Sequence, residues 1–322
     1  MSMLVRRATA LLVAAGVVAA CGGGGSGGTN NNPPTAIAKA STLSGDAQVG
    51  AVGTALPLLL RVVVTEDGAA LAGASVTWAT ASGTVGPSPA TSDAGGIATA
   101  TWTLGNASGA RTATATLAGA TGSPVTFTAT ANPGPANAIF KVAGDLQGEA
   151  INANFAVQAQ VRVEDQFGNP RPGATVDWAG SGAVLPAAAS TVTNAQGVAS
   201  VTVAAQGNAG NGTVAASVAG VVGTQTFNFT VGHRKVIAAA DVSFTSARNG
   251  TSDPAIDTIA ATQTMVWVRA GALGHTVEST GNPSFASSGA LDVYAVQFNT
   301  IGTYTYECQP HGNAMTGQVV VE

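Results

Sequence analysis

Sulfur and imidazole are scarce in this sequence: its 322 residues include 2 Cys, 3 His and 4 Met. Cys21 lies at the end of an N-terminal apolar run, which leaves Cys308 as the only other thiol. An intramolecular disulfide framework is therefore excluded. Charged residues make up only 9% of the chain and aromatics 5%. The basic residues are scattered, and 12 of them face 16 acidic ones. That balance argues against nucleic acid as a partner. No long segment repeats its apolar residues every 3.6 positions, so few helices are expected. What fills the chain is Gly, Ala, Thr and Val between frequent turns, a composition suited to β-structure.

The first residues, "MSMLVRRATALLVAAGVVAA", place Arg6 and Arg7 ahead of an apolar run from Ala8 to Ala20. The run is shorter than the roughly 20 residues a bilayer span takes, and its order is that of a secretory signal. It ends "VVAAC", Val17 to Cys21, which resembles the lipobox of bacterial lipoproteins. The resemblance implies cleavage after residue 20 and a lipid on Cys21. Gly22 after the Cys implies the outer membrane, facing the periplasm or the cell surface. Cleavage removes two Arg and no acid, leaving 10 basic and 16 acidic residues and a net charge near −6. "GGGGSGGTNNNPP", Gly22 to Pro34, then reads as a tether within 21–35. As a coil it spans roughly 20 Å, and at most about 45 Å when stretched.

An internal repeat follows. "GASVTW" (Gly73 to Trp78) returns as "GATVDW" (Gly173 to Trp178), and "SDAGGIATATW" (Ser92 to Trp102) parallels "TNAQGVASVTV" (Thr193 to Val203). The copies close with "PVTFTATA" (Pro124 to Ala131) and "TQTFNFTV" (Thr224 to Val231). Alternating apolar positions between Gly, Asn, Asp and Pro turns predict two antiparallel β-sandwiches, over 36–132 and 133–232. The pattern resembles the bacterial Ig-like repeats of the invasin and intimin type. Trp78 and Trp178 alternate with Val76 and Val176 and read as core. Glu66-Asp67 and Glu164-Asp165 read as solvated hairpin ends, because too few further carboxylates accompany them for a Ca²⁺ shell. These domains look like spacers. At roughly 35 Å each, two in line hold the C-terminal end on the order of 70 Å from the lipid.

A third unit, 233–322, alternates differently. "TMVWVRA" (Thr264 to Ala270), "DVYAVQF" (Asp292 to Phe298), "TYTYEC" (Thr303 to Cys308) and "GQVVVE" (Gly317 to Glu322) predict strands of a second kind of sandwich. Within it, "ECQPHGNAMTG" (Glu307 to Gly317) gathers a Cys, a His and a Met inside eight residues. Strand parity puts Tyr304, Tyr306 and Cys308 on one face, and the tyrosines mark that face as buried. Pro310 stiffens a loop that presents His311 and then Met315. One loop cannot surround an ion, so a further ligand has to come from elsewhere, and "GHTVEST" supplies His275. His233, beside Arg234 and Lys235, reads as linker. A buried Cys alone is often a small hydrophobe, and His275 alone can cap a turn. Together, two imidazoles, one thiolate and a thioether form the His₂Cys-plus-Met set of blue-copper sites. Structural zinc sites use more thiolates, and catalytic ones keep a water position open.

"GHTVES" and "GTYTYECQPHGNAMTGQVVV" resemble the cupredoxins, the plastocyanin, pseudoazurin and amicyanin group, over about the last ninety residues. The resemblance implies an all-β Greek-key sandwich with His275, Cys308 and His311 as equatorial ligands of one type 1 copper and Met315 as the axial one. Thr276 stands where the family has Asn, and its backbone N–H remains available to the thiolate. Phe244 matches a core aromatic of the family. Pro310 lacks an N–H, so it gives the Cys308 sulfur no donor; a Pro310→Ala variant is expected to shift the reduction potential. The implied function is outer-sphere electron transfer, with His311 as the exit because Glu307 replaces the family's second, tyrosine route. The expected partner is a cytochrome or a copper oxidoreductase, met through a flat, weakly charged patch. Two other readings are a copper-handling lipoprotein, and a surface adhesion protein with a redox-inert copper domain. No Ser/His/Asp or paired-carboxylate arrangement is visible, so an enzyme is not expected.

Overall fold

The computed structural model describes residues 35–322, and the leader, Cys21 and the tether lie outside them. The described residues form strands, turns and loops without helix, so none of them is a helix long and apolar enough to cross a membrane. Three separate hydrophobic cores lie along the chain. The first contains Val62, Trp78, Trp102 and Phe127. The second contains Val161, Trp178, Phe227 and Phe229. The third contains Phe244, Trp267, Tyr306, Cys308 and Met315.

The first two cores are built by the repeat. In the first, strands Thr35–Lys39, Leu60–Glu66, Ile97–Thr103 and Thr84–Gly86 face a sheet ordered Gln48–Ala51, Val125–Asn132, Gly109–Thr116, Ser75–Thr80 and Ala90–Thr91. The second repeats the latter sheet as Gln147–Ala150, Gln225–Gly232, Gly210–Ser217, Thr175–Gly182 and Ser190–Val192. Alternation is visible in burial, since Val125–Asn132 buries every second residue. Thr occupies many outward positions, where its branched Cβ suits the pleat.

Matching side chains repeat as well. Gln48 and Gln147 each donate from Nε2 to two backbone carbonyls, of Gly45 and Leu58 and of Gly144 and Val157. Lys39 pairs with Asp46, and Lys141 with Asp145. Gly45 and Gly144 turn the chain at φ +78° and +89°, where a Cβ would lie 2.2 Å from a backbone oxygen in each copy. Only glycine fits both demands.

Neither sandwich is purely antiparallel. Gln48–Ala51 and Gln147–Ala150 run parallel to the last strand of their domains. After Lys39 the chain crosses from one sheet to the edge of the other, and its direction then matches that of the closing strand. The crossing occurs in a short loop without a signature of its own.

A second difference concerns Asp165, which is buried instead of solvated. Its carboxylate accepts from the backbone N–H groups of Gly134, Phe167 and Asn169 and from the Asn169 amide. Burial alone would raise its pKa, but these bonds, led by the Asn169 amide, hold it below the ordinary carboxylate value. Asn169 in turn reaches the first domain: its Nδ2 donates to the Asn106 carbonyl at 2.7 Å and its Oδ1 accepts from Ser108 N–H at 2.8 Å. The Glu-Asp pair thus has two fates, since Asp67 in the first copy is exposed.

The third domain pairs two four-stranded sheets. One is ordered Ser243–Ser246, Arg234–Ala239, Thr264–Arg269 and Val293–Gln297. The other is ordered Ala255–Ile259, Gly312–Val321, Gly302–Cys308 and Glu278–Ser279. It meets the second domain closely: a Cβ on Gly148 would come within 3.0 Å of Val266, Val268 and Val293. Lys235 pairs there with Glu149. His233 works as joint structure, its N–H donating to the Thr264 carbonyl and its Nδ1 accepting from Thr264 N–H at 3.0 Å. Burial, reinforced by Arg234, lowers its pKa and keeps that nitrogen an acceptor at neutral pH.

Candidate metal centre

The centre grows from strand Gly302–Cys308. Its alternation buries Tyr304, Tyr306 and Cys308, the last at 0% exposure. Trp267 and Phe244 wedge edge-on against the Tyr306 ring, at centroid distances of 5.3 and 5.0 Å. This packing fixes the strand that ends in the thiol. The chain then reverses within three residues, Gln309 to His311, and His311 N–H donates to the Cys308 carbonyl at 2.9 Å.

The closing strand begins earlier than the sequence pattern indicates. It runs Gly312–Val321, not from Gly317. Cys308 pairs with Gly312 while Glu307 pairs with Thr316, so Asn313, Ala314 and Met315 are extra residues on the returning strand. Such an irregularity re-aims a side chain, and Met315 is fully buried beside the strand end that carries Cys308. Met315 therefore belongs to a bulged strand and not to a free loop.

His275 arrives from a distant segment. It follows strand Thr264–Arg269 through the turn Gly271–Gly274, and its carbonyl accepts from Leu291 N–H at 2.8 Å. Its Nδ1 lies 3.7 Å from the Cys308 sulfur, and His311 Nδ1 lies 3.2 Å from it. The ligating atoms of His275, Cys308 and His311 all fall within 4.8 Å of one another. His275 and Cys308 are buried and His311 is half-buried.

Thr276 holds the sulfur in two ways. Its backbone N–H points at Cys308 Sγ from 3.4 Å, as the sequence suggests. Its hydroxyl also accepts from Gln309 N–H at 2.9 Å and so ties the His275 segment to the turn after Cys308. Nothing in the sequence announces this second bond, because its partners lie 33 residues apart. Thr276→Ala is expected to destabilise the third domain by about 1 kcal/mol, with Thr276→Ser restoring it; thermal unfolding of the two variants checks this. Pro310 is exposed at the turn.

The donor set can be tested for a metal. Burial, reinforced by the His311 ring, pushes the His275 pKa below the ordinary imidazole value, against an opposing pull from the Ala239 carbonyl. A neutral imidazole is what a metal requires. Its Nε2 is buried and makes no well-formed hydrogen bond. Cys308 is a free, buried thiol that faces two imidazole nitrogens, and the cluster contains no carboxylate. Soft sulfur with borderline nitrogen suits copper and zinc and not the hard, oxygen-seeking cations.

The third domain is thus a β-sandwich with two His and one Cys gathered at one end. Residues 251–322 match copper binding proteins of the plastocyanin/azurin family. Residues 144–230 match the bacterial Ig-like domain, group 1. A bacterial Ig-like domain is thus followed by a plastocyanin/azurin copper-binding domain at the C-terminus. No curated protein matches the chain. Among solved structures, the Yersinia pseudotuberculosis adhesin InvE is 17% identical, covering 62% of this chain and 59% of its own, with a TM-score of 0.28. The chain therefore spans 59% of that adhesin's length. The Escherichia coli adhesin FdeC is 16% identical over 90% of this chain and 97% of its own, with a TM-score of 0.43. A purple cupredoxin from Nitrosopumilus maritimus is 21% identical over 27% of this chain and 98% of its own, with a TM-score of 0.23.

Proposed function

We propose that the protein is a membrane-anchored blue copper protein that transfers electrons by an outer-sphere route, its Ig-like domains serving as spacers from a lipid on Cys21. The observation that supports this best is the convergence of His275, Cys308 and His311, with Met315 fully buried in the same core as Cys308. These four residues would hold one type 1 copper. When bound, that copper supplies one-electron chemistry between Cu(I) and Cu(II).

The protein's own contribution is to keep the donors in place. His275 is fixed through its carbonyl, Cys308 by its strand and by Thr276 N–H, and His311 by the turn. Ligands that barely move keep reorganisation small. His311 is the half-buried member of the three; Ala314, three residues on, is exposed, as are Ala272 and Leu273 just before His275 in the chain. These small or apolar residues would meet the redox partner, a cytochrome or a copper oxidoreductase, in a brief contact. We propose no turnover chemistry for the chain.

The test is visible absorption of residues 35–322 on addition of Cu(II), followed by electrochemistry. An intense thiolate-to-copper band and a reversible one-electron wave are expected. A colourless protein, or one whose copper cannot be reversibly reduced, would end the electron-transfer reading. Mass analysis of the membrane fraction tests Cys21 separately, where an unmodified Cys21 would remove the anchor.

A further inference from the structure

Arg269 closes the strand that leads into the His275 segment. Its guanidinium makes contacts on both sides of that segment. Nη1 donates to the Gly271 carbonyl at 2.8 Å, in the turn that precedes His275. Nε donates to the Leu291 carbonyl at 3.0 Å and to Asp292 Oδ1, and Nη2 donates to the same carboxylate. Leu291 is the residue whose N–H holds the His275 carbonyl. One planar group therefore clips the backbone ahead of the histidine to the backbone that braces it.

Such a three-way clip needs a guanidinium. Its donors point along fixed directions in one plane, whereas a lysine ammonium is a point charge on a flexible stem. Arg269 also lines a cavity of about 460 Å³ where the second and third domains meet, together with Leu146, Glu149, Val157 and Val268.

We infer that Arg269 is a positioning residue for the metal centre, fixing His275 through Gly271 and Leu291 from the groove between the second and third domains. The inference rests on the copper reading for its metal-bound part. Its bracing part is a property of the metal-free chain.

The experiment compares the full chain with Arg269→Gln and Arg269→Lys. Copper(II) affinity is measured by chelator competition, and amide hydrogen exchange is followed at Leu291 in the metal-free protein. Loss of an outer-shell partner of a metal ligand typically costs about 10- to 100-fold in affinity. Arg269 acts one bond further out, through Leu291 and Gly271, so both variants are expected to lose about 10-fold, the low end of that range, and to exchange faster at Leu291, with exchange at Val319 unchanged. Wild-type affinity and wild-type exchange in Arg269→Lys would overturn the inference, because charge alone would then suffice. If Arg269→Gln does not fold, Arg269→Lys decides alone, since it keeps the charge at the joint. A wild-type chain that binds no copper would end the copper reading and leave the exchange comparison to decide whether Arg269 braces His275.

Discussion

Replacing Cys308 by serine is expected to abolish the visible band of the copper-loaded chain while leaving the metal-free fold in place. The sulfur is wholly buried at a strand end, with Thr276 N–H 3.4 Å away and two imidazole nitrogens at 3.2 and 3.7 Å. A hydroxyl fills nearly the same space and can use the same neighbours for hydrogen bonding. The cost to the metal-free domain is therefore about 1 kcal/mol, the order of one hydrogen bond. A serine hydroxyl does not supply the thiolate that soft-ligand copper sites select. Absorption spectra and chelator titrations of the wild type and variant give the answer together. A variant that kept the intense band would show that its sulfur origin is wrong. One that failed to fold would show that Cys308 has mainly a packing role.

The second large effect is expected from Trp267→Ala, which should destabilise the third domain by about 3–5 kcal/mol. Trp267 is fully buried and contacts four aromatic rings. Phe285 stacks on it at 5.8 Å with planes 9° apart, and Tyr306 meets it edge-on at 5.3 Å. Removing the indole opens a void against the strand that carries Cys308. A single domain has only about 5–15 kcal/mol in total. The three cores share no residue, so calorimetry should show one transition moving down while those of the Ig-like domains stay. Such a chain is not a two-state system, which is why the assignment to one transition matters. A uniform fall of all transitions would mean that the domains unfold as one unit.

Much of this was legible from short-range pattern. Period-two alternation discloses the strands around Trp78, Trp178 and Trp267, and parity puts Tyr304, Tyr306 and Cys308 on one face. Partners far apart in the chain left no such trace. Asp67 and Asp165 look alike in sequence, yet only the second is buried and tied to Gly134, 31 residues away. The Thr276 hydroxyl, the early start of the last strand at Gly312 and the parallel edge strands were hidden for the same reason. Each depends on where another segment happens to lie, which neither propensity nor spacing records.

The contact of Asn169 with Asn106 and Ser108 bears on how the copper domain meets its surroundings. A joint held by side-chain bonds turns about a few permitted angles, while a bare linker sweeps a sphere. Whatever freedom the tether allows, the second domain then keeps a narrow range of directions relative to the first. Under the proposed electron-transfer role, cutting the clip at Asn169 would widen the directions in which His311 is presented, with no change at the proposed metal ligands.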